Sequence, residues 1–199
     1  AGLSTATVQR ETVTQEQVSN LFWINVALGG IAGVISIVLA PLVAWFYGDS
    51  RLTSIMLVLS FTFLFTGSTV QHQALLIRQM RFRAIAIIEV ASILAGIVTG
   101  CGLALFGLAY WSLVGQQLCV VATGLVLTWW TSGWRPTMPK RHSGVAPLLS
   151  FGAHLTVSDL VARLATASDS ILVGRFFGAA PLGLYSRASA LLTRPLEQL

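Results

Sequence analysis

Residues 21–47 read LFWINVALGGIAGVISIVLAPLVAWFY, and no charged side chain lies between Glu16 and Asp49. A helix needs roughly 20 predominantly apolar residues to cross the hydrocarbon core of a bilayer. The stretch is long enough for one crossing. Its single proline, Pro41, is compatible with a membrane helix because neighbouring helices can re-satisfy the freed carbonyl. The stretch therefore predicts a membrane-spanning helix.

The sequence beyond this helix continues the same pattern. Apolar stretches predict further spanning helices at about residues 53–77, 85–107 and 112–133, and Glu89 is the single charged residue between Arg83 and Arg135. Two later stretches, at about 148–174 and 183–199, are also apolar but contain ionisable side chains. Short connections make neighbouring helices antiparallel. The expected fold is all-α, a polytopic bundle of transmembrane helices.

One longer connection divides the chain. The polar, proline-containing segment 134–147 separates four cleanly apolar helices in residues 1–133 from two helices with ionisable groups in residues 148–199. We also expect the chain to be an internal piece of a longer protein, because it begins at Ala1 rather than Met and ends soon after the sixth helix starts.

The composition excludes a soluble domain. Hydrophobic residues make up 55% of the chain and charged residues only 10%, whereas a soluble domain has about 25% charged residues. The net charge of +5 does not indicate nucleic acid, since a nucleic-acid-binding domain concentrates Lys and Arg on one polar face. Here the basic residues flank apolar runs, so we expect membrane lipids and no nucleic acid as partners.

The basic residues alternate between the two sides of the predicted bundle. Cytoplasmic loops of membrane proteins carry an excess of Lys and Arg. The loops of one side hold only Arg51 and Arg175. The loops of the other side hold seven basic residues, namely Arg10, Arg78, Arg81, Arg83, Arg135, Lys140 and Arg141. The second side is therefore predicted to be cytoplasmic, which makes segment 134–147 a cytoplasmic loop.

No arrangement of residues typical of an enzyme is visible. His72, His142 and His154 are far apart and have no metal-ligand spacing with carboxylates. Neither a Gly-x-Ser-x-Gly nucleophile motif nor a phosphate-binding glycine-rich loop with Lys is present. We therefore predict no enzyme activity, cofactor or metal site. Cys101 and Cys119 lie inside apolar stretches and are interpreted as small core residues.

Ionisable groups at membrane depth are the remaining candidates for function. Each costs a few kcal/mol when unpaired, so such groups usually face a bundle interior or an aqueous cavity. Asp159 and Arg163 are four residues apart and can share one helix face. Two interpretations stay open: the residues form an internal ion pair, or Arg163 lines a cavity and contacts an anionic substrate.

Two arginines and one glutamate complete this set. Arg187 and Arg194 are seven residues apart, so they share a face of the sixth helix. Two interpretations stay open: the arginines bind phosphate oxygens in a bidentate manner, or they snorkel towards the two interfaces. Glu89, like Asp159, is a candidate carrier of a coupling proton or cation. The alternative for Glu89 is a carboxylate that snorkels beside Arg83.

Several motifs occur in a fixed order. The sequence contains LFWIN at 21–25, VQHQALL at 70–76, Arg81-Phe82 before Glu89, SGWRP at 132–136, DSILVGR at 169–175 and LGLYSRA at 182–188. Together they resemble Wzx-type polysaccharide flippases, in the colanic-acid and exopolysaccharide exporter branch of the MOP superfamily. The resemblance covers essentially the whole chain.

The resemblance implies a two-lobed transporter of about 12 to 14 helices around a central cavity, with residues 1–133 ending the first lobe and 148–199 starting the second. It implies a flippase of the bacterial inner membrane. Such a protein carries undecaprenyl-pyrophosphate-linked oligosaccharide units to the periplasmic leaflet by alternating access, for exopolysaccharide, lipopolysaccharide O-antigen or capsule, alongside a polymerase and export machinery. The alternatives are a multidrug or toxic-compound exporter of the same superfamily, and a polytopic polyprenyl-dependent glycosyltransferase or polymerase.

Overall fold

The computed structural model describes residues 14–138 and 167–196, which form helices and short connections with no strand in either range. We number the helices in chain order. They are α1 (Gln15–Tyr47), α2 (Arg51–Leu59), α3 (Phe61–Arg78), α4 (Phe82–Leu105), α5 (Ala109–Ser132), α6 (167–177) and α7 (Ala179–Leu196). The all-α prediction is confirmed for the described ranges.

Helix α1 has well-defined signals at both ends. Thr14 and Gln17 form a capping box, in which each side chain accepts a hydrogen bond from the other residue's backbone N–H. Gly48 ends the helix in the left-handed conformation, with φ of 71°. The 33 residues of α1 extend about 50 Å, compared with about 30 Å of hydrocarbon. Its first turns therefore project beyond the membrane core.

The second span is interrupted between α2 and α3. The sequence predicts one helix at about 53–77, but a turn at Ser60 divides it. The hydroxyl groups of Ser60 and Thr62 donate to the carbonyl oxygens of Leu57 and Leu59, each at 2.6 Å. Such bonds compete with the helical ladder and bend helices. The two short helices still form one apolar span, Arg51–Arg78.

Glycines set how closely the spanning helices pack. A Cβ atom on Gly29 of α1 would lie 2.5 Å from the carbonyl oxygen of Phe63 on α3, and one on Gly67 would lie 2.6 Å from that of Asn25. On α4, a Cβ atom on Gly96 would meet the side chain of Val120, and one on Gly100 would lie 2.9 Å from Oε1 of Gln116, both on α5. Small residues permit this close approach of membrane helices. The glycines at four-residue spacing therefore allow helices of this chain to pack closely against one another.

The outer surface of these helices is apolar. Four segments are long and apolar enough to span a membrane, namely Gln15–Tyr47, Arg51–Arg78, Phe82–Leu105 and Ala109–Ser132. Only 11% to 17% of their most apolar windows is buried inside the protein, and residues such as Val38, Val98 and Val126 are exposed. Lipid is the solvent that such a surface requires. The four predicted spans of the first part are thus confirmed.

The two cysteines differ in environment. Cys119 is half-buried and its sulfur accepts a hydrogen bond from Thr99 at 3.2 Å, whereas Cys101 is exposed on the outer surface of α4. The interpretation of both as core residues is therefore wrong for Cys101. Its position on α4 is exposed in the described structure, which an apolar stretch without a polar face does not reveal.

The end of the chain departs from the predicted bounds. Helix α6 continues to residue 177 instead of ending at 174, and α7 begins at Ala179 rather than 183. Gly178 takes a left-handed φ of 87° and makes the turn. Pro181 then lies in the first turn of α7, where a missing N–H costs little. Residues 148–166 of the predicted fifth helix lie outside the described ranges.

The two ends of the bundle have different chemistry. We call the end where α1 and α4 begin and α3 and α5 end the basic end. At the opposite end, the guanidinium of Arg51 lies 5.7 Å from the ring centre of Tyr110, and that of Arg175 lies 5.4 Å from the ring centre of Phe46. Cation–π contacts of this kind stabilise charges beside aromatic rings. Arg51 and Arg175 thus lie at the same end of the bundle. This agrees with the prediction that their two loops lie on the same side of the membrane.

Candidate functional site

A cavity lies among α3, α4 and α5. Its volume is about 450 Å³, and all of its lining residues come from these three helices. Apolar side chains such as Val70, Ile88 and Val121 form much of the wall. The polar lining residues are Thr66, Thr69, Gln73, Glu89, Ser92 and Thr128. The cavity is therefore a mostly apolar chamber with one carboxyl group and several neutral oxygen atoms.

The polar residues of the cavity recur at helical spacing. Thr66, Thr69 and Gln73 on α3 are at positions i, i+3 and i+7, and Glu89 and Ser92 on α4 are three apart. Residues at these spacings share one face of a helix. The spacing does not single out the cavity in the sequence, because α3 also contains the polar residues Ser68, Gln71 and His72.

Among the described residues, Glu89 is the only charged one that lines this cavity. It lies about 10 Å along α4 from Phe82, at 1.5 Å per residue, and hence at membrane depth. Its carboxyl group makes no hydrogen bond or ion pair with any residue in ranges 14–138 and 167–196. A carboxylate at this depth is costly without a partner, so the group is the most conspicuous chemical feature of the cavity.

Arg83 is not the partner of Glu89. It lines a separate, wholly apolar groove with Ala86, Ile87 and Val90, on another face of α4. Six residues of an α-helix correspond to about 600° of rotation, which directs the two side chains to different sides. Glu89 and Arg83 therefore line different surfaces of α4, and the role of Glu89 stays a prediction.

The hydroxyl groups of the cavity fall into two kinds. Those of Thr69 and Ser92 donate to the carbonyl oxygens of Phe65 and Ile88 on their own helices, at 2.8 and 2.7 Å, and retain free lone pairs. Thr128 is only 4% exposed, and its hydroxyl has no hydrogen-bond partner within the described ranges. The oxygen of this hydroxyl is not among the buried atoms without a partner, so it is accessible at the cavity wall.

An aromatic cluster lies at the basic end of the bundle. It consists of Phe22, His72, Trp129 and Trp134. The ring centre of His72 lies 4.4 Å from that of Trp129 and 5.0 Å from that of Trp134. His72 is fully buried. The sequence drew attention to the histidine but gave no indication of this cluster, because its members come from α1, α3, the end of α5 and the residues just after it.

The residues after α5 fold back over the start of α1, and we call residues 133–138 the strap. The indole of Trp134 donates to the side-chain oxygen of Gln15 at 2.8 Å. The indole of Trp23 donates to the carbonyl oxygen of Thr137 at 3.0 Å, and the backbone N–H of Thr137 donates to the hydroxyl of Ser19 at 3.1 Å. The strap thus fixes the beginning of the connection between the two parts of the chain.

The structure distributes the predicted site residues unevenly. Glu89 lines the cavity, whereas Arg187 is exposed on α7 and is absent from the cavity wall. Arg194 lies within α7, but its side chain is outside the described part of the chain. Asp159 and Arg163 lie outside the described residues altogether. No cluster of His, Cys, Asp and Glu that could hold a metal occurs among the described residues.

Comparison with known proteins identifies the family. Residues 1–199 match the family described as polysaccharide biosynthesis protein. The chain belongs to this family. The resemblance to Wzx-type flippases seen in the sequence is confirmed by relatives of the same kind, and with four apolar spans the protein is a multi-pass membrane protein.

Three relatives illustrate the match. The teichuronic acid biosynthesis protein TuaB of Bacillus subtilis (strain 168) is 31% identical over 98% of this chain and 41% of its own length. The lipopolysaccharide biosynthesis protein WzxC of Escherichia coli (strain K12) is 28% identical over 94% of this chain and 38% of its own. The succinoglycan biosynthesis transport protein ExoT of Rhizobium meliloti (strain 1021) is 26% identical over 98% and 40%.

The chain therefore spans about two-fifths of the length of these relatives. No solved structure matches it.

Proposed function

We propose that this chain is part of a flippase that moves undecaprenyl-pyrophosphate-linked oligosaccharide units from the cytoplasmic to the periplasmic leaflet of the bacterial inner membrane. The observation that carries the proposal is the family match over the whole chain, combined with four membrane-spanning helices. Among the relatives, one is named a transport protein and the others are named for the biosynthesis of polysaccharides. The product would be exopolysaccharide, lipopolysaccharide O-antigen or capsule.

The energetic cost of moving such a substrate across a membrane explains why a helical transporter is needed. A pyrophosphate and a sugar cannot cross hydrocarbon unaided, because burying charged and polar groups without partners costs many kcal/mol. A transporter therefore encloses them in a polar cavity between two halves that rock about it. In this proposal the last helices of the first half lie in residues 1–133. The cytoplasmic connection is residues 134–147, and the second half begins with residues 148–199.

Basic residues of the second half are the proposed contacts for the pyrophosphate. Arg187 is exposed on α7 and available to a ligand, and Arg163 and Arg194 add two guanidinium groups from the same part of the chain. Guanidinium groups bind phosphate oxygens with two parallel hydrogen bonds. Asp159 would position Arg163 or carry a coupling ion. A polymerase and the export machinery are the proposed partners.

The cavity chemistry disfavours the multidrug exporter. A site for large cationic drugs needs aromatic walls beside its carboxylate. The described residues that line the cavity around Glu89 include no aromatic side chain, which counts against the exporter.

Complementation tests the proposal. The full-length protein that contains this chain is expressed in a flippase-deficient exopolysaccharide strain, beside Arg163→Ala, Arg187→Ala and the control Arg175→Ala, at equal membrane abundance. The expected result is polymer production by the wild type and the control, and loss of polymer in at least one of the other variants. Failure of the wild type with several donor pathways, together with increased drug efflux, would overturn the proposal.

A further inference from the structure

A groove runs along the exposed face of α4, apart from the cavity already described. Its volume is about 370 Å³, and its lining residues are Arg83, Ala86, Ile87, Val90, Ala91 and Leu94. The wall is wholly apolar, so Arg83 lines it with the methylene stem of its side chain. Long basic side chains bury such stems and keep the charged head in a polar layer. The groove is thus an apolar track with a guanidinium at one end.

The length of the groove matches one leaflet of a bilayer. Arg83 and Leu94 are eleven residues apart, which corresponds to about 16 Å along an α-helix. Half of the hydrocarbon thickness is about 15 Å. A second spanning helix would pack along a track about twice as long. The groove therefore fits an acyl chain of a single leaflet, with the lipid headgroup at Arg83.

The positive charge at the head of the groove is not neutralised by the described part of the chain. The guanidinium of Arg83 has no hydrogen bond or ion pair within ranges 14–138 and 167–196. Within these ranges, the basic end has one acidic residue, Glu16, and four arginines, namely Arg78, Arg81, Arg83 and Arg135. Basic residues at a membrane surface attract anionic lipids. The charge of the groove is therefore complementary to an anionic headgroup.

We propose that this groove binds an anionic phospholipid of the leaflet at the basic end, with the phosphate on Arg83 and one acyl chain extending to Leu94. A guanidinium holds a phosphate through two parallel hydrogen bonds. The acyl chain covers Ile87 and Val90, which are 59% and 57% exposed. Glu89 lines the cavity on another face of α4, so its carboxylate does not meet the phosphate. The lipid is a resident of the site and not the transported substrate.

Quenching by brominated lipids tests the site. The full-length protein, with its other cysteines replaced, carries a small fluorophore on Leu94→Cys and is reconstituted in phosphatidylcholine. Brominated acyl chains of phosphatidylglycerol or phosphatidylcholine quench a label that they touch. Quenching against the mole fraction of each brominated lipid therefore gives the relative affinity of the two lipids for the groove. We expect phosphatidylglycerol to bind roughly fivefold more tightly, which is the effect of one basic residue near a membrane surface.

Substitutions of two arginines separate the groove from the general charge of the basic end. Arg83→Met keeps an unbranched stem but removes the charge, so it should abolish the preference, whereas Arg83→Lys should keep most of it. Arg135→Met removes the same charge from the strap, outside the groove, and should leave the preference unchanged. The control label is on Val98→Cys, which is exposed on α4 beyond the groove. It should show no preference in any of these proteins.

The site is overturned if the two lipids quench the Leu94→Cys label equally, or if the preference survives in Arg83→Met. An equal loss in Arg135→Met would also overturn it, because the preference would then reflect the overall surface charge. If neither lipid quenches this label, another helix of the full-length protein covers the groove.

A competing lipid distinguishes the remaining occupant. Polyprenyl phosphate without bromine is added at a mole fraction at which unbrominated phosphatidylglycerol leaves the quenching unchanged. The expected result is no change. Relief of the quenching would assign the groove to a polyprenyl lipid and refute the proposed occupant. None of these readings depends on polymer production, so the lipid site and the proposed function can fail separately.

Discussion

Nδ1 of His72 lies 2.8 Å from the hydroxyl oxygen of Ser132, so a hydrogen bond joins α3 to the last turn of α5. The hydroxyl of Ser132 in turn lies 3.2 Å from the carbonyl oxygen of Trp129 and donates to it. This order assigns the proton of the imidazole to Nδ1. Nε2 is then an acceptor, and it is buried without a partner in the described ranges. Within the described ranges, the bond to Ser132 is thus the imidazole's one hydrogen bond to a neighbouring helix.

Removal of this bond should lower stability. Ser132→Ala leaves both ring nitrogens of the buried His72 without a partner, which should cost about 1–3 kcal/mol of the free energy of unfolding. Ser68→Ala is the control, because the hydroxyl of Ser68 bonds only to a carbonyl of its own helix. Denaturant unfolding of the full-length protein in mixed micelles measures the difference. Equal stability of the two variants would show that the bond contributes nothing.

The spans were predictable because their signal is contained within each segment. Residues 21–47 and 85–107 are long, uncharged or nearly so, and bounded by charged residues. The structure starts α1 six residues earlier, at Gln15, because the capping box of Thr14 lies outside the apolar stretch. The break at Ser60 was missed for a different reason. It depends on hydroxyl groups bonding to carbonyls three residues back, at a place with neither Pro nor Gly.

The candidate site could be predicted only in part. Glu89 stands out as one charge in a long apolar stretch, but its neighbours Thr66 and Thr128 are ordinary residues on helices far apart in sequence. Which face of α4 meets α3 and α5 is set by packing, and in a helix that is apolar on all sides no periodicity reveals it. The aromatic cluster was hidden for the same reason.

Two adjacent glycines of α1 should respond in opposite ways to the same substitution. Gly29→Ala places a Cβ atom 2.5 Å from the backbone oxygen of Phe63, so α1 and α3 must separate. Such overpacking should cost about 1–3 kcal/mol. A Cβ atom on Gly30 meets nothing within 4 Å. Gly30→Ala should therefore leave stability unchanged or raise it by up to about 1 kcal/mol, through helix propensity.

Thermal unfolding of both variants, with the wild type beside them, checks this pair. If Gly29→Ala is as stable as Gly30→Ala, the close crossing of α1 and α3 is incorrect.

The two cysteines should differ in reactivity towards a reagent dissolved in the bilayer. Cys101 is exposed on the outer surface of α4, whereas Cys119 is half-buried and hydrogen-bonded to Thr99. In membranes, a lipophilic maleimide should label the Cys119→Ala variant, which retains Cys101, several-fold faster than the Cys101→Ala variant. Faster labelling of Cys119 would contradict the assignment of the lipid-facing surface.

In the proposed transport cycle, the strap should remain attached to α1 throughout. The hydroxyl oxygens of Ser19 and Thr137 lie 3.0 Å apart, and the strap is held on both sides of this pair by the indoles of Trp134 and Trp23. Replacement of both residues by cysteine, in a background of Cys101→Ala and Cys119→Ala, places two sulfur atoms within reach of a disulfide. Mild oxidation should then protect both thiols from a polyethylene-glycol maleimide.

The matched control joins Ser19→Cys with Met138→Cys in the same background, because Met138 is 86% exposed. This pair should remain labelled after oxidation. If the strap is a fixed part of the first half, the oxidised Ser19→Cys/Thr137→Cys protein should support as much polymer as its reduced form in the complementing strain. A large loss of polymer that a reductant restores would mean that the strap detaches from α1 during the cycle. The connection at 134–147 would then be a moving element, because its first residues could not stay on α1 while the two halves rock.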